Sequence, residues 1–218
     1  MMDEVEPSAL VALVAVALLA GWLGLTLRRR GREPWHRART PLARARTAQV
    51  IRFEGVVATD EPAMRSPVEG RPCVAFHAVV EHFDQTMRRQ RAGWWDVAAV
   101  ETEVVRFRVI DDDGHAATID PARAEVELHF EPGDPRPSRW EAVEPMLSRA
   151  GDPRLLRERA LRHLEIAFEP GARVAVVARV ARPPSGHGAV YRAAPRDAEL
   201  EAADDALHVK LLPPASPP

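Results

Sequence analysis

The side chains best equipped for chemistry in this chain do not assemble, as a sequence, into a reactive set. Asp111, Asp112 and Asp113 would suit a hard cation such as calcium. A calcium loop of the EF-hand type, however, spaces its ligands at alternate positions and closes on a glutamate, and that spacing is missing. Followed by Gly114, the triplet reads as a tight turn whose second half, Asp113 and Gly114, would take positive φ. The eight histidines are scattered. His77 and His82, the nearest pair in the strand-rich part, fall on opposite faces of a regular strand, so no metal ligand is expected. Cys73 is the one cysteine. It excludes an intrachain disulfide and a cysteine-built zinc site, and its apolar surroundings make it a small buried hydrophobe. No GxSxG elbow, P-loop or GxGxxG occurs, so no catalytic residue and no cofactor are expected.

Recognition chemistry is concentrated in MRRQRAGWW, residues 87–95, which joins Arg88, Arg89 and Arg91 to Trp94 and Trp95. Arginine and tryptophan are enriched at interaction hot spots. The segment reads as a long loop between a strand ending near Phe83 and one beginning near Val97, and it could dock a partner or touch a membrane surface. In the blander reading one tryptophan caps the core and the arginines solvate a hairpin.

The elements that would position this loop begin with an anchor. Residues 8–27 carry no charge over twenty positions, enough at 1.5 Å per residue to span a hydrocarbon core about 30 Å thick. Asp3, Glu4 and Glu6 precede the run. Eight arginines against the single acid Glu33 follow it by residue 46. The charge bias predicts residues 1–7 outside, a transmembrane helix at 8–27, and the remainder on the cytoplasmic face of the cell (inner) membrane. A cleaved signal peptide would carry the opposite flanking charge. Residues 28–47 read as a basic juxtamembrane stalk in which Arg28, Arg29, Arg30, Arg32 and Trp35 meet anionic headgroups. The rest of the chain is acidic on balance, which argues against nucleic-acid binding.

Beyond the stalk, one domain is expected over 48–212, with a Pro-rich tail at 213–218. Strands are predicted at 49–58, with Gly55 as a bulge or a close approach, at 73–83, at 104–110, at 115–119, at 124–130, at 173–180 and at 207–211. Residues 65–72 read as a turn. Asp152–Pro153 reads as a helix start, with the helix running to about His163. The fold class is mainly β (α+β): a small antiparallel sheet or barrel with one or two helices.

The ordered run SPVEGRPCVAF (66–76), Trp94–Trp95, FRVIDDDGHAATIDP (107–121) and EPGARVAVVARV (169–180) resembles the GIDE-type domain, also called BAM for "beside a membrane", over residues 50–181. Its members include a mitochondrial ubiquitin ligase and bacterial membrane proteins. The resemblance implies a β-rich module beside a membrane that recognises substrates or partners, with Pro67, Gly70, Cys73, Asp113, Gly114, Pro170 and Gly171 as structural positions of the motif. In the ligase a zinc-binding RING recruits the conjugating enzyme, and a second span precedes it. One cysteine cannot build a RING, and no second apolar run occurs here. The expected function is therefore non-catalytic binding of a protein or lipid partner or substrate at the cytoplasmic membrane face. The alternatives are a component of a RING-type ubiquitin ligase, with the RING on another chain, or a scaffold using the small residues Ala17, Ala20, Gly21 and Gly24 of the span. The Ala-, Arg- and Pro-heavy composition suggests a GC-rich bacterial source.

Overall fold

The computed structural model describes residues 34–60, 63–84, 93–131, 133–151, 153–184 and 197–213. The proposed span 8–27 and the arginines at 28, 29, 30 and 32 lie outside these residues. Among the described residues no helix is long and apolar enough to cross a membrane. Pro34–His36, which includes Trp35, forms a turn of 3-10 helix. The chain divides into a unit ending at Arg37 and a compact unit from Ala38 onward.

In the second unit the strands are β1 (Val50–Ala58), β2 (Met64–Arg65), β3 (Pro72–Cys73), β4 (Ala75–Asp84), β5 (Trp94–Val104), β6 (Phe107–Asp111), β7 (Ala116–Ile119), β8 (Val126–His129), β9 (Arg136–Pro137), β10 (Leu161–Phe168), β11 (Arg173–Arg182), β12 (Ala198–Glu201) and β13 (Leu207–Leu211). The helix α1 spans Trp140–Ala150. A mainly β domain, either a small antiparallel sheet or a barrel, was expected, and a barrel is what forms: β1, β6, β7, β12 and β11 pair in that order, and β1 closes the ring onto β11. Its core is built by the period-2 alternation of these strands. Ile51, Phe53 and Val57 from β1, Phe107 and Val109 from β6, and Val174, Val176 and Val180 from β11 are all at most 2% exposed. Each large side chain buried this way contributes about 1.5–3 kcal/mol of transfer free energy.

Gly55 is a close approach and not a bulge. It pairs with Val174 on one side and with Asp111 on the other, in unbroken register. A Cβ there would lie 2.3 Å from the backbone oxygen of Ile110. The β6–β7 hairpin forms where expected, but only Gly114, at φ 82°, is left-handed; Asp113 is not. The Gly114 N–H donates to the Asp111 carbonyl at 3.0 Å, a type I turn followed by a left-handed glycine in place of a primed turn. The buried Asp111 carboxylate explains this choice: it accepts from the N–H groups of Asp113 (3.1 Å), His115 (2.8 Å) and Leu42 (3.1 Å). The third bond draws in part of the segment read as a stalk. Leu42 is fully buried in the barrel core, and Arg39 bridges to Arg52.

A four-stranded sheet ordered β5-β4-β10-β9 stands beside the barrel. Here the expected helix from 152 to 163 is corrected. Asp152 lies outside the described residues, Pro153–Leu156 is a short 3-10 turn, and Leu161–Phe168 alternates buried and half-buried side chains as strand β10. The helix lies earlier, where Val143, Met146 and Leu147 repeat at i, i+3 and i+4 and are at most 2% exposed against the sheet. Pro145 inside it disguised the pattern. Two further differences concern pairing: β8 is shorter than the predicted 124–130, and β12–β7 and β13–β8 run parallel in an otherwise antiparallel architecture.

Gly55→Ala is expected to cost about 1–3 kcal/mol through overpacking against Ile110, and Phe107→Ala about 3–5 kcal/mol through the cavity it leaves. Urea unfolding should show lowered midpoints at an unchanged slope for both variants.

Candidate functional site

The alternation of the four-stranded sheet sorts its side chains into rows that cross β10, β4 and β5. Phe168, Ala75 and Val104 form one row, and Ile166, His77 and Thr102 the next. Phe168, Ala75, Val104 and Ile166 pack into the barrel core. Beyond them the same face carries Leu164, Val79 and Val100, then Arg162, Glu81 and Val97, then Phe83 and Trp95. Val97 and Val100 are 59% and 54% exposed. Among the described residues the barrel covers one end of this face, and the other end carries the exposed Val97 and Val100 among half-buried neighbours.

The two tryptophans sit in β5 and not in a loop, which corrects the sequence reading. β5 starts at Trp94, so the pair point to opposite faces. Trp95 belongs to the face of Val97 and Val100, with the Phe83 ring 5.3 Å away and the Arg162 guanidinium 4.2 Å over its ring. Trp94, on the other face, donates from Nε1 to Asp96 Oδ2 at 2.8 Å. Gly93 leaves room for Phe83, because a Cβ there would lie 2.2 Å from its ring. Arg88, Arg89 and Arg91 lie outside the described residues. β5 is the outer strand of its sheet, with a bulge that inserts Ala98 between Val97 and Ala99. Sequence reading missed Val97 and Val100 because an exposed valine in a strand looks the same as a buried one until its partners are known.

On the covered face a polar strap holds the motif positions 66–71. The Glu165 side chain is fully buried. It accepts from Ser66 Oγ at 2.6 Å, from the Val68 N–H at 2.8 Å and from the Glu69 N–H at 3.3 Å. Pro67 and Gly70 (φ 67°) shape this loop, and Gly171 (φ 89°), after Pro170, turns the chain into β11. Cys73 is fully buried beneath it, and burial, followed by the charge of Glu165, pushes its thiol up to about 11. Nearby, Ser138 Oγ lies 2.5 Å from His163 Nδ1, and His163 Nε2 lies 3.3 Å from Glu69 Oε1. The order resembles a serine–histidine–carboxylate relay. Glu69 is nevertheless shared with Arg71 (3.0 Å) and Arg136 (3.1 Å), and Ser138 does not line the adjoining cavity of about 270 Å³. The three groups tie the segment after β9 to β10 and to the 66–71 loop.

At the barrel, a cavity of about 570 Å³ is lined by Arg106, Arg108, Arg123 and Arg182 and by Asp60, Asp120, Asp197 and Glu199. Arg108 grips Asp197 bidentately at 2.6 and 3.0 Å. The four arginines and four carboxylates balance in formal charge within the cavity. Among the described residues two further sets bring ligand-type atoms together: His82, Asp84 and Asp96, and Glu127, His129 and His208. In the first, Asp84 is paired with Arg159 at 3.2 Å and Asp96 is bonded to Trp94. In the second, His129 Nε2 and His208 Nδ1 are 3.1 Å apart. Burial lowers the His129 pKa, Glu127 opposes that shift, and His208 and Lys210 add to it. Histidines that look scattered along the chain thus meet across β8 and β13. Comparison with protein-family models, curated proteins and solved structures finds no match, so the fold and these groupings alone define what the chain can be.

Two outcomes follow. Cys73 should resist iodoacetamide at pH 8 in the native protein and react on unfolding, read by mass spectrometry. His77 bonds Thr102 Oγ1 at 2.8 Å, and burial lowers its pKa. The unfolded chain therefore binds the proton more readily, and stability should be intact above about pH 6.5 and fall as pH drops below it. His77→Gln should flatten that slope between pH 6.5 and 5 in thermal unfolding.

Proposed function

We propose that this chain is a membrane-tethered, non-catalytic module of the GIDE type that binds a protein partner through β5 and the end of the sheet face that carries Val97 and Val100, on the cytoplasmic side. The observation that carries the reading is the exposure of Val97 and Val100 on an outer strand beside Trp95. Apolar side chains at such an edge invite pairing with another chain, and folds that stand alone protect them. Trp95 supplies a large ring already oriented by Arg162, so little side-chain entropy is lost when a partner covers it. The Arg162–Glu81 ion pair crosses the middle of the patch, between the row of Val100 and that of Trp95. An extended partner segment could add to β5 on either side of the bulge at Ala98, with its side chains beside Val97 and Val100.

The tether rests on the uncharged run 8–27 and the arginines after it. It concentrates the module at a surface, so a modest affinity suffices for a partner in the same membrane.

A photo-crosslinking residue at Val100 in native membranes should capture a discrete partner adduct. Val97→Lys with Val100→Lys, or Trp95→Ala, should reduce capture through a second crosslinking position, Thr102, by at least about tenfold. The lysine variant should change stability by no more than about 0.5 kcal/mol. An adduct unaffected by these variants, or crosslinks to lipid alone, would refute the reading.

A further inference from the structure

We infer that Glu127, His129 and His208 form a binding site for one divalent metal ion of the zinc class, clamping β8 to β13. Two imidazoles and a carboxylate are the donor set that borderline cations of this kind take, whereas calcium and magnesium prefer oxygen alone.

The strands place the donors. β8 and β13 run parallel, with His208 opposite Glu127 and Lys210 opposite His129. Val126, Leu128, Leu207 and Val209 turn toward the barrel core, so alternation sends Glu127, His129 and His208 to the other face together. Leu207 and Val209 are at most 1% exposed, which fixes β13 and with it the backbone of His208. Position 127 and position 129 are two apart on one strand, and the third donor comes from its neighbour. A strand pair holds such a set more rigidly than a loop would.

The His–His edge is close to that of a tetrahedral shell, and the Glu127 carboxylate faces both rings, one oxygen toward each, so a small rotation brings a single oxygen onto the ion. Metal–nitrogen bonds of about 2.0–2.1 Å imply donor–donor edges of about 3.3 Å. His129 Nε2 and His208 Nδ1 are 3.1 Å apart, His208 Nδ1 and Glu127 Oε2 are 3.1 Å apart, and His129 Nε2 and Glu127 Oε1 are 3.6 Å apart. Burial is graded: the His208 and His129 side chains are 16% and 27% exposed and Glu127 is 55% exposed. Two sheltered imidazoles with a carboxylate at the mouth give an ion a route in. Three protein donors leave a fourth position for water or a donor from a partner. Lys210 stands against the site, since its charge repels a cation, and it sets the affinity below that of an uncharged surround.

Without metal, the same three groups are a hydrogen-bonded cluster, and the test separates the two states. The full chain, purified in detergent and stripped with chelator, is titrated with zinc alone under equilibrium dialysis. One equivalent should bind. His129→Gln and His208→Gln should each weaken binding by at least about 100-fold, Glu127→Gln by about tenfold, and Lys210→Gln should tighten it. Cobalt(II) in the wild-type chain should give the intense visible absorption of a four-coordinate nitrogen–oxygen site, a readout that needs no variant to fold. Zinc should raise the thermal midpoint of the wild type and leave the two histidine variants unmoved. No stoichiometric uptake, uptake unchanged in both histidine variants, or only the weak absorption of six-coordinate cobalt would overturn the inference.

Discussion

At Gly55 strand β1 is hydrogen-bonded on both edges at once, to β11 and to β6, and the ring of strands closes because no side chain stands at that point. A barrel needs its strands to shear past one another. Here the change of partner falls within two residues of β1, and the Ile110 carbonyl fills the space a Cβ would need. Asp111, one residue further along β6, then spends its buried carboxylate on three backbone donors. Closure, turn and the incoming segment at Leu42 are therefore one arrangement, and a change at any of the three disturbs the other two.

The second sheet stands apart from the ring: β4 and β10 pair with each other and lean only one end of their shared face on the barrel core. Helix α1 covers the opposite face, tied to β5 by the bidentate Arg149–Glu101 bridge. At the far end of the first face Val97 and Val100 stand exposed beside the half-buried Trp95, and this is the surface proposed to meet a partner. Meanwhile β13 uses the lower part of β11 that β12 leaves free, and this brings β8 alongside it and three ligand-type side chains together.

Much of the barrel was legible from the sequence because its strands alternate cleanly. Val174 through Val180 falls where expected, as does Leu207–Leu211 beside the ring, whereas the strand expected at 104–110 begins only at Phe107 because Val104 ends β5 in the other sheet. Residues 161–168 were harder, since Leu161, Leu164 and Phe168 also fit a helical spacing, and Pro153 looked like a first-turn proline. Helix α1 was hidden by a proline at its sixth position. The groupings that could do chemistry were out of reach for a different reason: His129 meets His208, and Ser66 meets Glu165, only through strand order, and separations of 79 and 99 residues carry no local signal. Trp94 and Trp95 were singled out by residue type, yet their opposite directions depend on β5 beginning at Trp94.

Native-state hydrogen exchange on the full chain tests most directly the claim that a closed barrel carries an open-edged sheet. The account predicts that β1, β6 and β11 exchange slowest and together, at the free energy of global unfolding, while alternate amides along the outer edge of β5 exchange quickly. Protection of those β5 amides equal to that of β11, or fraying of β1 ahead of the rest, would contradict it.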